Sequence, residues 1–149
     1  MAASSRLVTD MREHIAFINT NELAAPGGHY SHAVRLGDLV FVSGQLGIRP
    51  DGSHTAQLPF EDQVRQALQN LLTALRSAGA TASDVLKVTA YIVDVERWPR
   101  FNAVYAEVMG NARPARAVVP VAQLHYGYLV EVDAIAACNG ASRHQDLPR

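Results

Sequence analysis

Two charged residues stand out because each lies within an apolar, β-branched stretch near the carboxyl end of the chain. Arg116 is surrounded by alanine, valine and proline in "RPARAVVPV", and Glu131 alternates with valine in "LVEVDAIAA". A guanidinium is a planar fork of fixed N–H donors that suits a small carboxylate. A carboxyl group in an apolar wall has a raised pKa and can position or activate water. These residue types therefore favour a site that binds a small acid and delivers water to it.

The same two residues admit a purely structural interpretation. Paired charges at strand ends are common, and a buried ion pair between Arg116 and Glu131 would satisfy both groups without any ligand. The sequence does not choose between a binding site and an ion pair, so both interpretations stay open.

Composition limits the classes of protein to which the chain can belong. Its 149 residues are 48% apolar and carry a net charge of −1, which predicts one compact domain and argues against nucleic-acid partners. No apolar run reaches the roughly 20 residues that span a bilayer. The single cysteine, Cys138, and an amino terminus without a signal-peptide pattern predict a cytoplasmic location. We expect tails at residues 1–14 and 139–149 and a single domain at residues 15–138.

The elements that must position Arg116 and Glu131 follow from the hydrophobic period. From Phe60 onward apolar residues recur at steps of three and four, which predicts an amphipathic helix that Gly79 can end in a left-handed conformation. A second helix is predicted at residues 99–109. Alternating or β-branched runs predict strands at residues 15–18, 33–36, 39–43, 85–93, 115–122 and 129–137.

The order β-β-β-α-β-α-β-β predicts an α+β fold with one mixed sheet and two helices on one face. Several strands are apolar on both faces, so the second face of the sheet needs cover. This pattern predicts an oligomer.

Several motifs occur in an order that resembles the Rid family of reactive-intermediate deaminases, also called the YjgF or L-PSP endoribonuclease-like family. The resemblance covers roughly residues 15–137. The motifs that carry it are "YSHAV" at 30–34, "VSGQLG" at 42–47, "VLKVTAYIVD" at 85–94, "FNAVY" at 101–105, "PAR" at 114–116 and "VEVDAIA" at 130–136.

This resemblance implies a chorismate-mutase-like fold assembled as a homotrimer, with clefts between subunits. It implies hydrolysis of 2-imino and enamino acids to 2-keto acids and ammonia, without metal or cofactor. By motif position, Arg116 would clamp the substrate carboxylate and Glu131 would hold the attacking water. The resemblance assigns a lining or polar contact to four further residues, some from a neighbouring chain: Tyr30, Ser43, Asn102 and the backbone of Val118.

Departures from the family pattern bear on substrate preference. Val118 stands where many deaminating members have cysteine, and Pro120 predicts a bulge or an edge in its strand. His125, Tyr126 and Tyr128 stand where small charged residues are usual, so the size of the pocket and the substrate preference stay open.

Weaker signals are assigned no function. His29 and His32 lack the further ligands of a metal site, and we expect His14, His54, His125 and His144 to be solvated. Cys138 is predicted to be a bystander thiol. A role for Ser43 in the site and a tight strand end at Gly44 are equally acceptable interpretations of "SGQLG".

Three functions remain open. The first is an imine deaminase, and the second is a ligand-sensing or RNA-acting member that uses the same cleft. The third is a deaminase of aromatic ring-cleavage products. A sensor needs Arg116 as much as an enzyme does, whereas only the enzyme needs Glu131. The absence of a basic stripe interleaved with aromatic residues argues against RNA.

Overall fold

The computed structural model describes residues 15–138, so the predicted tails at 1–14 and 139–149 lie outside the described residues. The elements are β1 (Ile15–Ile18), β2 (Ala33–Leu36), β3 (Leu39–Gln45), α1 (Phe60–Ser77), β4 (Val85–Val93), α2 (Trp98–Met109), β5 (Ala115–Val121) and β6 (Val130–Ala137). Three 3₁₀ turns, Ala82–Asp84, Val95–Arg97 and His125–Gly127, connect them. The predicted α+β class and order of elements are confirmed, and β3 extends two residues beyond its predicted end.

All six strands form one mixed sheet in the order β1-β2-β3-β6-β4-β5. The β4–β5 pair is parallel and the other neighbours are antiparallel. The parallel pair is joined through α2, as a parallel pair requires a crossover. Because β5 lies at the edge of the sheet, Pro120 occupies an edge strand, where its missing N–H is tolerated.

One face of the sheet is covered by the two helices and forms the core. The alternating residues Val88, Ala90 and Ile92 of β4 are fully buried there, together with the apolar stripe of α1. That stripe consists of Phe60, Val64, Ala67, Leu68, Leu71, Ala74 and Leu75. Gly79 ends α1 with a φ of 87°, and the N–H of Ala80 donates to the carbonyl of Leu75 at 2.9 Å, the Schellman arrangement that the sequence suggests.

The opposite face of the sheet, which we call the open face, carries apolar side chains that remain accessible. Phe17, Leu39, Phe41 and Val119 are exposed large apolar residues on its strands. The pairing aligns Phe17, Val34 and Phe41 across three neighbouring strands, so these residues form a continuous apolar row. None of the helices within residues 15–138 has the length and hydropathy needed to cross a membrane.

Candidate functional site

Three of the residues singled out by sequence, Tyr30, Ser43 and Glu131, line one cavity of about 640 Å³. The cavity lies where β3 ends, between the loop that precedes β2 and the 3₁₀ turn His125–Gly127. It is bounded on other sides by the segment that follows β3, including Leu46 and Ile48. Strand, loop and turn thus meet at a single concave site.

Buried amides of α1 hold the walls of this cavity in place. Asn70 donates through Nδ2 to the carbonyls of Leu46 and Ile48 at 2.8 and 2.7 Å. Gln63 accepts from the N–H of Leu129 at 3.0 Å, just before β6, and donates to two carbonyls of the 55–58 loop. Because buried amides are costly to leave unpaired, these bonds tie the rim to the helix.

Glu131 packs directly against Gly44. A β-carbon built at position 44 would overlap Oε1 of Glu131, so only glycine leaves room for the carboxylate. The register between β3 and β6 shifts between Val42 and Gln45, and such a bulge re-aims the strand locally. The tight strand end at Gly44, one of the two interpretations of "SGQLG", is present, and the group packed against it is the Glu131 side chain.

The environment of Glu131 favours a carboxyl group that can accept a proton. Burial raises the pKa of its carboxyl, the nearby His125 lowers that pKa, and Asp133 raises it. Asp133 itself accepts a hydrogen bond from the Tyr91 hydroxyl at 3.2 Å. Among residues 15–138, Glu131 has no hydrogen-bond or ion-pair partner, so its oxygens are available to a water or ligand.

Ser43 and Tyr30 are positioned by backbone contacts. The Ser43 hydroxyl donates to the carbonyl of Ser31 at 2.7 Å, which leaves its lone pairs as acceptors. The Tyr30 hydroxyl accepts from the N–H of Gly27 at 3.2 Å. Both hydroxyls therefore line the cavity while bonded to backbone groups. Neither is arranged as a nucleophile beside a base.

Arg116 lies on the other face of the sheet. Its register partner on β4 is Val88, whereas the partner of Glu131 on β4 is Tyr91. Residues three apart on a strand point to opposite faces, and Val88 is fully buried on the helix-covered face. The ion pair between Arg116 and Glu131 that the sequence left open is therefore wrong for a single chain.

Two aromatic rings of α2 hold the Arg116 guanidinium. Its central carbon lies 4.6 Å from the centroid of the Tyr105 ring and 5.7 Å from that of Phe101, within the range of cation–π attraction. Within the described part of the chain, Arg116 donates no hydrogen bond and forms no ion pair. Packing against the two rings orients the guanidinium, and its N–H groups have no acceptor among residues 15–138.

The residues around Arg116 include the other two predicted contacts. Val118 follows it by two positions on β5 and packs against the core, and Asn102 lies one helical turn before Tyr105. The Tyr105 hydroxyl is buried without a hydrogen-bond partner among residues 15–138. The six predicted site residues thus separate into two groups: Tyr30, Ser43 and Glu131 on one side, and Asn102, Arg116 and Val118 on the other.

The loop at residues 125–128 contributes some side chains to the cavity and one to the core. His125 and Tyr126 line the cavity, and so does His54. Tyr128, in contrast, is 1% exposed, and its hydroxyl accepts from the N–H of Thr55 at 3.1 Å. His54 and His125 are exposed, as predicted, and folding also brings these two segments, some 70 residues apart in sequence, against the same cavity.

The remaining weak signals have local structural explanations. Nδ1 of His32 accepts from the N–H of Thr20 at 3.2 Å, and its Nε2 is 2.9 Å from the carbonyl of Ala24. Across residues 15–138, no three His, Cys, Asp or Glu side chains are grouped as they would be around a metal ion. Cys138 is buried, and its thiol donates to the carbonyl of Ala78 at 3.3 Å.

Comparison with known proteins identifies relatives over most of the described chain. The family model described as endoribonuclease L-PSP matches residues 20–138. A RutC family protein of Pyrococcus horikoshii is 39% identical over 80% of this chain and 94% of its own length. A 2-iminobutanoate/2-iminopropanoate deaminase of Dermatophagoides farinae is 35% identical over 79% of this chain and 92% of its own.

A solved structure extends this similarity to the fold. The crystal structure of E. coli TdcF with bound serine superposes with a TM-score of 0.78 at 30% identity, covering 83% of this chain and 99% of that one. The similarity thus spans both the pocket around Glu131 and the strand that carries Arg116.

Proposed function

Because the chain belongs to the Rid family, also known as the YjgF or endoribonuclease L-PSP family, we propose that it hydrolyses 2-imino and enamino acids to 2-keto acids and ammonia. In this proposal Arg116 holds the substrate carboxylate and Glu131 activates the attacking water. The substrate is a small molecule, and neither metal nor cofactor takes part. The two residues come from neighbouring copies of the chain in a homotrimer.

The observation that carries the proposal is that the Glu131 carboxylate and the Arg116 guanidinium lie apart, each without a hydrogen-bond or ion-pair partner among residues 15–138. Within the described part of the chain, Glu131 has no partner in its cavity, and Arg116 has no acceptor on the opposite face of the same sheet. A small acid can contact both only if one copy presents Arg116 to the Glu131 cavity of another. The apolar row on the open face, which includes Phe17 and Phe41, supports such an assembly because burial of apolar surface drives association.

The chemistry matches the residues present. Water adds to C2 of the protonated imine while Glu131 takes its proton, which yields a carbinolamine with one hydroxyl and one amino group. Glu131 then passes that proton to the nitrogen, and the C–N bond breaks as Glu131 takes the proton of the hydroxyl group and the carbonyl forms. Glu131 releases this last proton to solvent. Ammonia leaves and is protonated in solvent. An enamine enters the same route once it gains a proton at C3.

The raised pKa of the Glu131 carboxyl suits this role, because a general base works best when its pKa approaches the working pH. The guanidinium of Arg116 anchors the carboxylate with two parallel hydrogen bonds and so orients C2 toward the water. A protonated C=N is already electrophilic, so no strong nucleophile is needed. Ser43, with its proton donated to Ser31, is accordingly left as a lining group.

Known relatives support this proposal. One relative bears the name of an imine deaminase, and the E. coli protein was crystallised with serine, an amino acid whose carboxylate is the kind of group that Arg116 is suited to bind. A sensor would bind the ligand carboxylate through the same Arg116 contact without hydrolysing an imine.

The deciding experiment couples the protein to a serine or threonine dehydratase and follows the release of keto acid. Wild type should accelerate release over buffer. Glu131→Gln keeps the size of the side chain but cannot accept a proton, so it should reduce the acceleration by about 10²–10⁴-fold. Binding of the keto acid should survive.

Two other results would change the assignment. Keto-acid binding without acceleration of any imine would identify a sensor. An active Glu131→Gln variant would leave deamination standing and remove Glu131 from it.

A further inference from the structure

Beyond Glu131, the cavity is lined by a group of rings that the proposed chemistry does not use. We call His54, His125 and Tyr126 the aromatic wall. The rings of His54 and Tyr126 meet edge to face with centroids 5.0 Å apart, and those of His125 and Tyr126 lie 6.2 Å apart. All three residues line the same cavity as Glu131.

One member of the wall, His54, contacts a buried residue of the chain, whereas Tyr126 is 62% exposed. The ring of buried Tyr128 packs beside His54 at 5.7 Å, and its hydroxyl lies 3.2 Å from Nδ1 of His54. Tyr126 sits at a φ of 59°, a left-handed conformation that is uncommon for a bulky residue and that recurs at ligand sites. Its hydroxyl reaches the Gly27 loop on the far side of the cavity, 3.6 Å from where a β-carbon would stand.

In a single chain, before a neighbouring copy covers it, the cavity is larger than a three- or four-carbon imino acid requires. Its volume of about 640 Å³ falls within the range of pockets that enclose drug-sized ligands. In the proposed assembly the neighbouring copy brings Arg116 to the carboxylate, whereas Glu131 and the wall belong to the other chain. With the carboxylate and C2 held between those two residues, the substrate side chain is left to face the wall.

Apolar side chains also line this cavity, alongside polar ones such as Asn70 and Gln45. Ala25, Leu46 and Ile48 line it together with the rings, and aromatic rings prefer edge-to-face or offset partners. A methyl or hydroxymethyl side chain, as in the imines of alanine and serine, would leave the rings uncovered. A planar ring would contact them and could also bury the nearby apolar lining of the cavity.

We infer that the aromatic wall is a side-chain subsite that makes this protein prefer imino acids with an aromatic or similarly planar side chain. The inference rests on the proposed function and names its substrate class. Aromatic amino acids have no leaving group at C3, so their imines cannot arise by dehydration. The reaction that supplies the substrate must then be an oxidation of the amino acid at its C–N bond.

The test measures binding and turnover separately with the full-length protein. Titration calorimetry compares phenylpyruvate with pyruvate, which share the 2-keto acid group and differ by one phenyl ring. Wild type should bind phenylpyruvate about tenfold more tightly. Tyr126→Ala should reduce this preference to about twofold or less, and Tyr126→Phe should retain it.

A matched control separates ring stacking from simple volume. Tyr126→Leu restores apolar bulk without a ring and should recover only part of the preference for phenylpyruvate. In parallel, an L-amino-acid oxidase with catalase generates imines from phenylalanine and from norleucine, and the protein should accelerate hydrolysis of the phenylalanine imine more.

The outcomes are distinguishable. Equal affinity of wild type for the two keto acids, or an unchanged preference in Tyr126→Ala, overturns the side-chain subsite even if small imines are turned over. Failure to accelerate any imine overturns the proposed deaminase activity, while the ratio of the two affinities still decides whether the wall selects a planar ligand.

Discussion

The two halves of the candidate site are built in different ways. The half around Glu131 is enclosed by one chain, where amides from α1, a bulge in β3 and the fit against Gly44 fix its geometry. The half around Arg116 is an edge strand whose guanidinium rests on two rings and contacts no acceptor among residues 15–138. One half is complete as a cavity, whereas the other is an oriented group without a cavity.

This difference indicates that the Glu131 half would activate water and that the Arg116 half would bind the substrate carboxylate. Groups that activate water need fixed positions, because small displacements strongly reduce rate. A carboxylate grip needs mainly charge and orientation, which a packed arginine supplies from a neighbouring copy.

Mixing two inactive variants should restore activity if the halves come from different chains. Arg116→Ala and Glu131→Gln should each lose about 10²-fold or more in kcat/KM. Co-expressed chains that assemble at random should form about one quarter of their sites with both native residues, because each native residue is present in half of the chains. The coupled keto-acid assay on the purified mixture measures this recovery.

The control for the mixing experiment is the double variant, which carries both substitutions on one chain. It should stay inactive alone, and it should lower the activity of wild type when the two chains are co-expressed. A mixture that remains as inactive as its components would place both residues of each site on a single chain and contradict the proposed assembly.

Gly44→Ala should disable the Glu131 half while sparing the Arg116 half. The added β-carbon would displace the Glu131 carboxylate, and a shift of that kind can reduce the rate by about 10²-fold. Affinity for pyruvate, measured by calorimetry, should change much less. Gly37→Ala offers a contrast, since Gly37 has no neighbour within 4 Å of a β-carbon but has a φ of 56°, so it should affect stability and not turnover.

Replacing Tyr105 tests the ring packing under Arg116. Tyr105→Leu removes the cation–π contact and should weaken keto-acid binding by roughly 3–10-fold, because the guanidinium loses about 1 kcal/mol of orienting attraction. Tyr105→Phe keeps the ring and should bind within about twofold of wild type. If both variants bind equally weakly, the buried hydroxyl and not the ring is the important group.

The smallest effect concerns the protonation of Glu131. Burial raises the pKa of its carboxyl, and a guanidinium from a neighbouring copy would lower that pKa because it favours the charged form. Arg116→Ala should therefore raise the pKa of Glu131 relative to wild type. Carboxyl carbon NMR on labelled protein, with Glu131→Gln to assign the signal, measures the difference.

The same titration fixes the sign of the pH dependence. Turnover requires the ionised carboxylate, so the rate should fall as pH drops through the pKa of Glu131. An identical pKa in wild type and Arg116→Ala would show that the two residues do not meet.

Much of the fold was predictable because the signals are local. The three- and four-residue recurrence from Phe60 and the turn at Gly79 identify α1 without reference to any other segment. Alternation and β-branching likewise identify β4 and β6. The family could be recognised because its motifs keep their order and spacing along the chain, a property that needs no coordinates.

The composition of the cavity was less predictable. His54 was interpreted as solvated, since nothing near it in sequence indicates a site. It meets Tyr126 because the fold holds the two segments together: Gln63 bonds both Leu129 and the 55–58 loop, and Tyr128 bonds Thr55. The fit of Glu131 against Gly44 likewise joins strands β3 and β6, which lie far apart in sequence and become neighbours only in the sheet.

Periodicity alone thus establishes which residues of a strand share a face, so that Arg116 must alternate with Ala115 and Ala117. It does not establish which face is covered by helices, because that depends on the register with β4 and on the packing of α1 and α2. Register placed Arg116 beside Val88 and Glu131 beside Tyr91, on opposite faces. A shift of one residue in either pairing would have reversed that outcome, and no local feature of the sequence records it.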